Sequence, residues 1–113
     1  MENNIRPWGH YDILLDSDIT KVKKITVIPG GRLSYQSHEH RSETWTIVSG
    51  CAKVVIDDTE TELGPEESVY IRDGQKHRIS NTTKKDLIFI EVQHGKYFGE
   101  DDIIRYEDDY ART

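Results

Sequence analysis

Gln36, His38 and Glu43 are the residues whose types and spacing most readily make chemistry. On a β-strand, side chains two apart share a face, so Gln36 and His38 point the same way. A reversal through residues 39–42 would start an antiparallel neighbour at Glu43, and the hairpin would present an amide, an imidazole and a carboxylate to one point. The best fourth group is His77, in Gly74-x-x-His77-x-x-x-Asn81, where His77, Ile79 and Asn81 share a strand face. Two imidazoles, an amide oxygen and a carboxylate suit a borderline or hard divalent ion such as zinc, manganese, iron or cobalt. Coordination positions would remain for a substrate oxygen.

The elements that must position these groups read as short strands. β-branched and aromatic runs are expected at Tyr11–Leu15, Lys21–Ile28, Leu33–His38, Glu43–Ser49, Ala52–Ile56, Thr59–Leu63, Ser68–Ile71, His77–Asn81 and Leu87–Gln93. Turn chemistry separates them: Pro29-Gly30-Gly31, Gly50, Asp57-Asp58, Gly64-Pro65 and Asp73-Gly74. No helical period precedes Gly99. Beyond it, EDDIIRYEDDYART could hold one helical turn, with Ile103 and Ile104 docked on the body. This is the pattern of an all-β sandwich or small barrel. Residues 1–5 read as a disordered start and Arg6-Pro7-Trp8-Gly9 as a compact turn. Trp8 and Tyr11 are placed at one barrel mouth. Trp45 alternates inward with Glu43 and Ile47, as a packing residue, and Cys51 is read as a small packing residue too.

At 113 residues the chain is long enough for a single core. It carries 15 Lys and Arg against 21 Asp and Glu, a net charge of −6, with much of the acid near the C-terminus. Without a clustered basic face, nucleic acid is not an expected partner. The pairs Lys23-Lys24 and Lys84-Lys85 read as solvated strand-edge and turn residues. No apolar run reaches the roughly 20 residues that span a bilayer, and MENNIRPWG has no signal-peptide character. One cysteine excludes an internal disulfide and fits a reducing compartment. The expectation is a cytoplasmic protein with no membrane contact.

Gly30-x5-Gln36-x-His38-x4-Glu43-x6-Gly50 resembles the first cupin motif with Gln in place of the first His, and Gly64 through Arg72-x-Gly74-x2-His77-x3-Asn81 resembles the second. More narrowly, four segments resemble the type II phosphomannose isomerase domain, the C-terminal domain of bifunctional isomerase/mannose-1-phosphate guanylyltransferases. They are RPWGHY at 6–11, LSYQSHEHRSETWTIVSG at 33–50, YIRDGQKHRISN at 70–81 and EVQHGKYFGEDDIIRYEDDYAR at 91–112. The resemblance implies one domain over residues 1–113. It would be a double-stranded β-helix, or cupin jelly-roll barrel, over about 11–94, with a short acidic C-terminal extension at 95–113. It implies Gln36, His38, Glu43 and His77 as ligands of one divalent ion, zinc first, with manganese, cobalt, iron or nickel as alternatives. It also implies interconversion of mannose 6-phosphate and fructose 6-phosphate for sugar-nucleotide and polysaccharide supply. Two departures stand out. Arg72 replaces the usual proline, which predicts a less rigid or differently used turn before His77. The guanylyltransferase domain is missing, so the chain is not expected to make GDP-mannose alone.

Aldose–ketose exchange moves a proton between C1 and C2 through an enediol. A metal would polarise the carbonyl, and a side chain must shuttle the proton. The candidates for that base are His40, at the hairpin tip, and Glu91, which shares a strand face with Phe89 and Gln93. Arg41 is the first choice to clamp phosphate or sugar oxygens, since a guanidinium binds them in a bidentate way. Arg78, Gln93 and Lys96 are further substrate-binding candidates, with Arg105 a weaker one. A homodimer is expected, formed through barrel edges. The rival reading is a non-catalytic sugar- or nucleotide-sugar-binding cupin that works with a separate guanylyltransferase. Another small cupin chemistry, an epimerase or iron oxygenase, is a further rival; the Gln-for-His change and the flanking segments oppose the oxygenase.

Overall fold

The computed structural model describes residues 4–109; the first three and last four residues, with the end of the YEDDYAR segment, lie outside the described residues. The strands are β1 (Ile5–Arg6), β2 (Gly9–Asp16), β3 (Thr20–Val27), β4 (Tyr35–Ser37), β5 (Arg41–Ser49), β6 (Ala52–Ile56), β7 (Thr59–Leu63), β8 (Ser68–Ile71), β9 (His77–Ser80), β10 (Leu87–Gly95) and β11 (Ile104–Glu107). A single 3₁₀ turn, Glu100–Asp102, is the helical element among the described residues. One sheet has the order β1-β2-β3-β10-β5-β8 and the other β11-β4-β9-β6-β7. The all-β expectation holds. Among the described residues no helix is long and apolar enough to cross a membrane.

Alternation explains why the sheets face each other. In β5, Glu43, Trp45 and Ile47 are buried while Thr44 and Thr46 between them are half-exposed. In β10 the inward set is Leu87, Phe89, Glu91 and Gln93. Of these, Trp45, Ile47, Leu87 and Phe89 join Val54 and Ile79 of the opposite sheet in one apolar core. Gly50 is obligatory at the turn into β6: its φ is +88°, and a Cβ there would stand 2.7 Å from the Asp86 carbonyl oxygen. At the β6–β7 turn, Asp57 and Asp58 take φ values of +47° and +68°, the left-handed pair that a two-residue hairpin turn requires and aspartate tolerates.

Several expectations need correction. β4 and β5 are not the arms of one hairpin, because β4 pairs with β9 and β11 and β5 pairs with β8 and β10. The 39–42 reversal therefore carries the chain from one sheet to the other, and the ligand candidates converge across the barrel interior. Asn4 and Ile5 belong to the fold: Ile5 pairs with His10, and the Asn4 carbonyl accepts from Tyr11 N–H at 3.2 Å. The acidic extension contributes a strand, β11, and Ile104 is 44 % exposed, not docked; Ile103 lines the interior cavity. Cys51 is exposed. Lys23 is not at a sheet edge, since β3 lies between β2 and β10.

Candidate functional site

One cavity opens between the two sheets. Its wall includes Gln36, His38, Arg41, Glu43, His77, Arg78 and Glu91, joined by Arg6, Tyr11, Lys23, Trp45 and Arg105. His38 follows β4, Glu43 is on β5 and His77 starts β9, so three segments deliver three donors. One ligand atom from each lies within 4.8 Å of the others.

The orientation of each donor has a cause. His38 Nδ1 is 3.0 Å from the Asp102 carbonyl oxygen, and His77 Nδ1 is 3.0 Å from the Gln75 carbonyl oxygen. A carbonyl can only accept, so both Nδ1 atoms carry the proton and both Nε2 lone pairs point inward. Asp102 does more: its carboxylate accepts from the Glu39 and His40 backbone N–H groups at 3.1 and 3.0 Å, fixing the reversal after His38. The turn before His77 is held as firmly. Asp57 accepts from Lys76 N–H at 3.0 Å and from the Gln75 amide at 3.1 Å, and Arg72 N–H donates to Gln75 Oε1 at 2.9 Å. Proline could not make that last bond, so Arg72 exchanges a fixed φ for a hydrogen bond.

Glu43 stands at the centre. Its Oε1 is 3.7 Å from His77 Nε2, and its Oε2 is 3.3 Å from His38 Nε2. The Arg41 guanidinium covers this group, with Nε 2.9 Å from Glu43 Oε2 and an outer nitrogen 3.1 Å from His38 Nε2. Burial, aided by Arg41 and His77, holds His38 down to about 3; burial likewise holds His77 down to about 4. Both are therefore the neutral, ligating form. Two lone pairs and a carboxylate aimed at one point make a donor set suited to a divalent cation, with the carbonyl-anchored histidines usual around metals. Gln36 lines the same cavity and is register-paired with His77. Its amide nitrogen is spent on Ser34 Oγ at 3.0 Å, which leaves its carbonyl oxygen to offer.

Beside this cluster lies a second carboxylate. Glu91 is 6 % exposed, and burial, followed by the Glu43 charge, raises its proton affinity above that of an ordinary glutamate. The Trp45 indole N–H bridges the two carboxylates, donating to Glu43 Oε1 at 3.1 Å and Glu91 Oε1 at 3.0 Å. Trp45 packs in the core as expected and also pins both acids. Gln93, fully buried, donates to Glu91 Oε2 at 2.8 Å, while its own Oε1 has no hydrogen-bond partner among the described residues.

The remaining candidates separate. His40 is exposed and sits in a side groove with Tyr97, Asp101 and Asp102, away from the cavity. Lys96 is exposed and is not part of the cavity wall. Arg78 lines the wall but is committed to structure, donating to the Leu33 carbonyl at 2.9 Å and the Glu107 carbonyl at 3.1 Å. Arg105 reaches the wall with a buried Nε that has no hydrogen-bond partner among the described residues. Lys23, read from sequence as solvated, faces the cavity opposite Glu91. The signal was present: Lys23 shares its alternation with Ile25 and Val27, both buried. Asp102 left no comparable signal, because its partners lie more than sixty residues away.

The family model described as mannose-6-phosphate isomerase C-terminal matches residues 1–108. The alginate biosynthesis protein AlgA of Pseudomonas aeruginosa is 51 % identical over 108 residues, covering 96 % of this chain and 22 % of that protein. A mannose-1-phosphate guanylyltransferase of Escherichia coli is 49 % identical over 108 residues, covering 96 % and 23 %. The chain thus spans less than a quarter of the length of these relatives. Among solved structures, a Klebsiella pneumoniae protein with a double-stranded β-helix domain superposes with a TM-score of 0.78 at 23 % identity, covering 93 % of this chain and 92 % of that one. A cupin 2 conserved barrel protein of Salinispora arenicola gives 0.68 at 21 % identity, covering 75 % and 74 %. These likenesses establish the fold as a cupin barrel.

Proposed function

Because the chain belongs to the mannose-6-phosphate isomerase C-terminal family, we propose that its cavity binds a hexose phosphate and interconverts mannose 6-phosphate and fructose 6-phosphate, in supply of sugar nucleotides and polysaccharide. The observation that carries this reading is the charge of the wall. Five cations, Arg6, Lys23, Arg41, Arg78 and Arg105, surround two carboxylates, Glu43 and Glu91, in a chain whose net charge is −6. A concave site of the opposite sign to the molecule concentrates anions.

His38, Glu43 and His77, with Gln36, would hold one divalent ion, zinc first. Bound there, the ion supplies a Lewis acid that polarises a carbonyl and favours negative charge on its oxygen. The protein's own groups do the rest. Glu91 is the base that lifts the proton from C2 of the aldose and returns it to C1. Its raised proton affinity suits it to both halves of that task. Trp45 and Gln93 hold its two oxygens, so it meets substrate in one orientation. Arg41, with N–H groups beyond those given to His38 and Glu43, and Arg105, on the cavity wall, grip the anionic sugar. His40, exposed in the side groove, takes no part.

The test is to supply mannose 6-phosphate to the metal-loaded protein and follow fructose 6-phosphate. Turnover should vanish with a chelator and in His38→Ala. The second reading, a sugar- or nucleotide-sugar-binding module acting with a separate guanylyltransferase, draws on the similarity to a relative named mannose-1-phosphate guanylyltransferase. Binding without turnover under zinc, manganese, cobalt and iron would decide for it.

A further inference from the structure

An aldose becomes a ketose by two transfers. Hydrogen leaves C2 for C1, and a proton leaves the C2 hydroxyl oxygen for the C1 carbonyl oxygen. Glu91 accounts for the first. The second asks for a group that can both give and take a proton at oxygen, on the same wall of the cavity.

Lys23 occupies that place. β3 turns it inward with Ile25 and Val27, and the register sets it directly opposite Glu91. Such cross-strand neighbours stand about 4.5–5.5 Å apart at Cβ, so one substrate carbon–oxygen unit can meet both. The ammonium lies 4.2 Å from the centroid of the Tyr11 ring, and Arg6 steadies that ring, donating to the Tyr11 hydroxyl at 3.1 Å. Among the described residues no ion pair or hydrogen bond joins the Lys23 ammonium to a carboxylate or a carbonyl. Lys23 is half-buried, and the Tyr11 ring face with the nearby Glu91 charge is what holds its ammonium at the cavity wall. Burial also makes this ammonium a readier proton donor than an ordinary lysine, against the opposing pull of Glu91.

We infer that Lys23 is a catalytic residue that handles the oxygen-bound proton, an assignment that rests on the isomerase reading above. As Glu91 takes H⁺ from C2, the C–H pair becomes the C1=C2 bond, the C1=O1 pair moves to O1, and the Lys23 ammonium protonates O1. The enediol then faces a neutral amine and a carboxylic acid. The amine takes the proton from O2, the O2 pair forms C2=O2, and the C1=C2 pair takes the proton from Glu91 at C1. Ketose, ammonium and carboxylate result, and nothing is left over.

The experiment uses the metal-loaded protein with mannose 6-phosphate deuterated at C2, comparing the native chain with Lys23→Met and Lys23→Arg, all three checked for equal melting. Lys23→Met should lower kcat about 100-fold or more with KM within about threefold, and the ratio of deuterium lost to water over ketose formed should rise. Lys23→Arg, cationic but a far weaker acid, should keep KM and not recover kcat. Turnover by Lys23→Met within about threefold of native would overturn the assignment and leave the isomerase standing. A rise in KM alone would place Lys23 on the phosphate and overturn it as well. No turnover by the native chain with any divalent ion would remove the isomerase reading and this role together.

Discussion

Trp45→Phe tests the bridge between the two buried carboxylates without touching either. Phenylalanine keeps an aromatic ring against Phe89 and the edge of His77, whose centroids lie 5.6 and 5.4 Å from that of Trp45. It removes the N–H that Glu43 and Glu91 share at 3.1 and 3.0 Å. A donor to a charged group is worth about 1.5–3 kcal/mol, and shrinking a fully buried indole to a phenyl adds on the order of 1–2 kcal/mol. The sum, about 2.5–5 kcal/mol, is a large share of the roughly 5–15 kcal/mol typical of a domain. The deficit must also depend on pH. Glu91 already binds its proton more tightly folded than unfolded, through burial and then the Glu43 charge, so it lowers stability as pH rises above its unfolded value of about 4.5. Losing the N–H tightens that grip, and the deficit should widen from pH 5 to pH 8. Urea unfolding of the metal-free protein at both pH values measures it. A deficit below about 1 kcal/mol, or one equal at the two pH values, refutes the bridge.

Three further outcomes are expected. His38 and His77 are less basic folded than unfolded, so the unfolded chain binds more protons below pH 6.5 and acid favours unfolding; the metal-free protein should lose up to about 1.4 kcal/mol per pH unit per histidine from pH 6.5 toward about 4, and His77→Gln should flatten that slope in urea titrations. Saturating zinc at about 100 times its dissociation constant should stabilise the protein by about 2.7 kcal/mol, seen as a raised melting temperature that chelation reverses; an equal rise in His38→Ala would count against the ligand set. Arg78→Met removes the bonds from β9 to the Leu33 and Glu107 carbonyls, so hydrogen exchange should speed up at Ile104–Glu107 while β5 and β10 keep their protection; uniform loss would mean Arg78 supports the whole barrel.

Strand positions and inward faces were legible in the sequence because alternation is a local code. The run Glu43, Trp45, Ile47 reads inward by period two, and the Gly50 and Asp57-Asp58 turns carry their own backbone requirements. The same code had placed Lys23 beside Ile25 and Val27, but the adjacent Lys23-Lys24 pair read as a solvated charge. What alternation cannot state is which sheet a strand joins. The 39–42 reversal looks like a hairpin turn in the sequence, yet it crosses from β4 in one sheet to β5 in the other. Only that crossing sets Glu43 against His77 and leaves His40 outside. The Trp45 bridge to Glu91 and the Asp102 anchor on His38 join residues 46 and 64 positions apart. Ligand types and strand faces were therefore written locally. The electrostatics of the cavity, which acid is pinned, which cation is left open and which histidine is neutral, belong to contacts that exist only once the barrel closes.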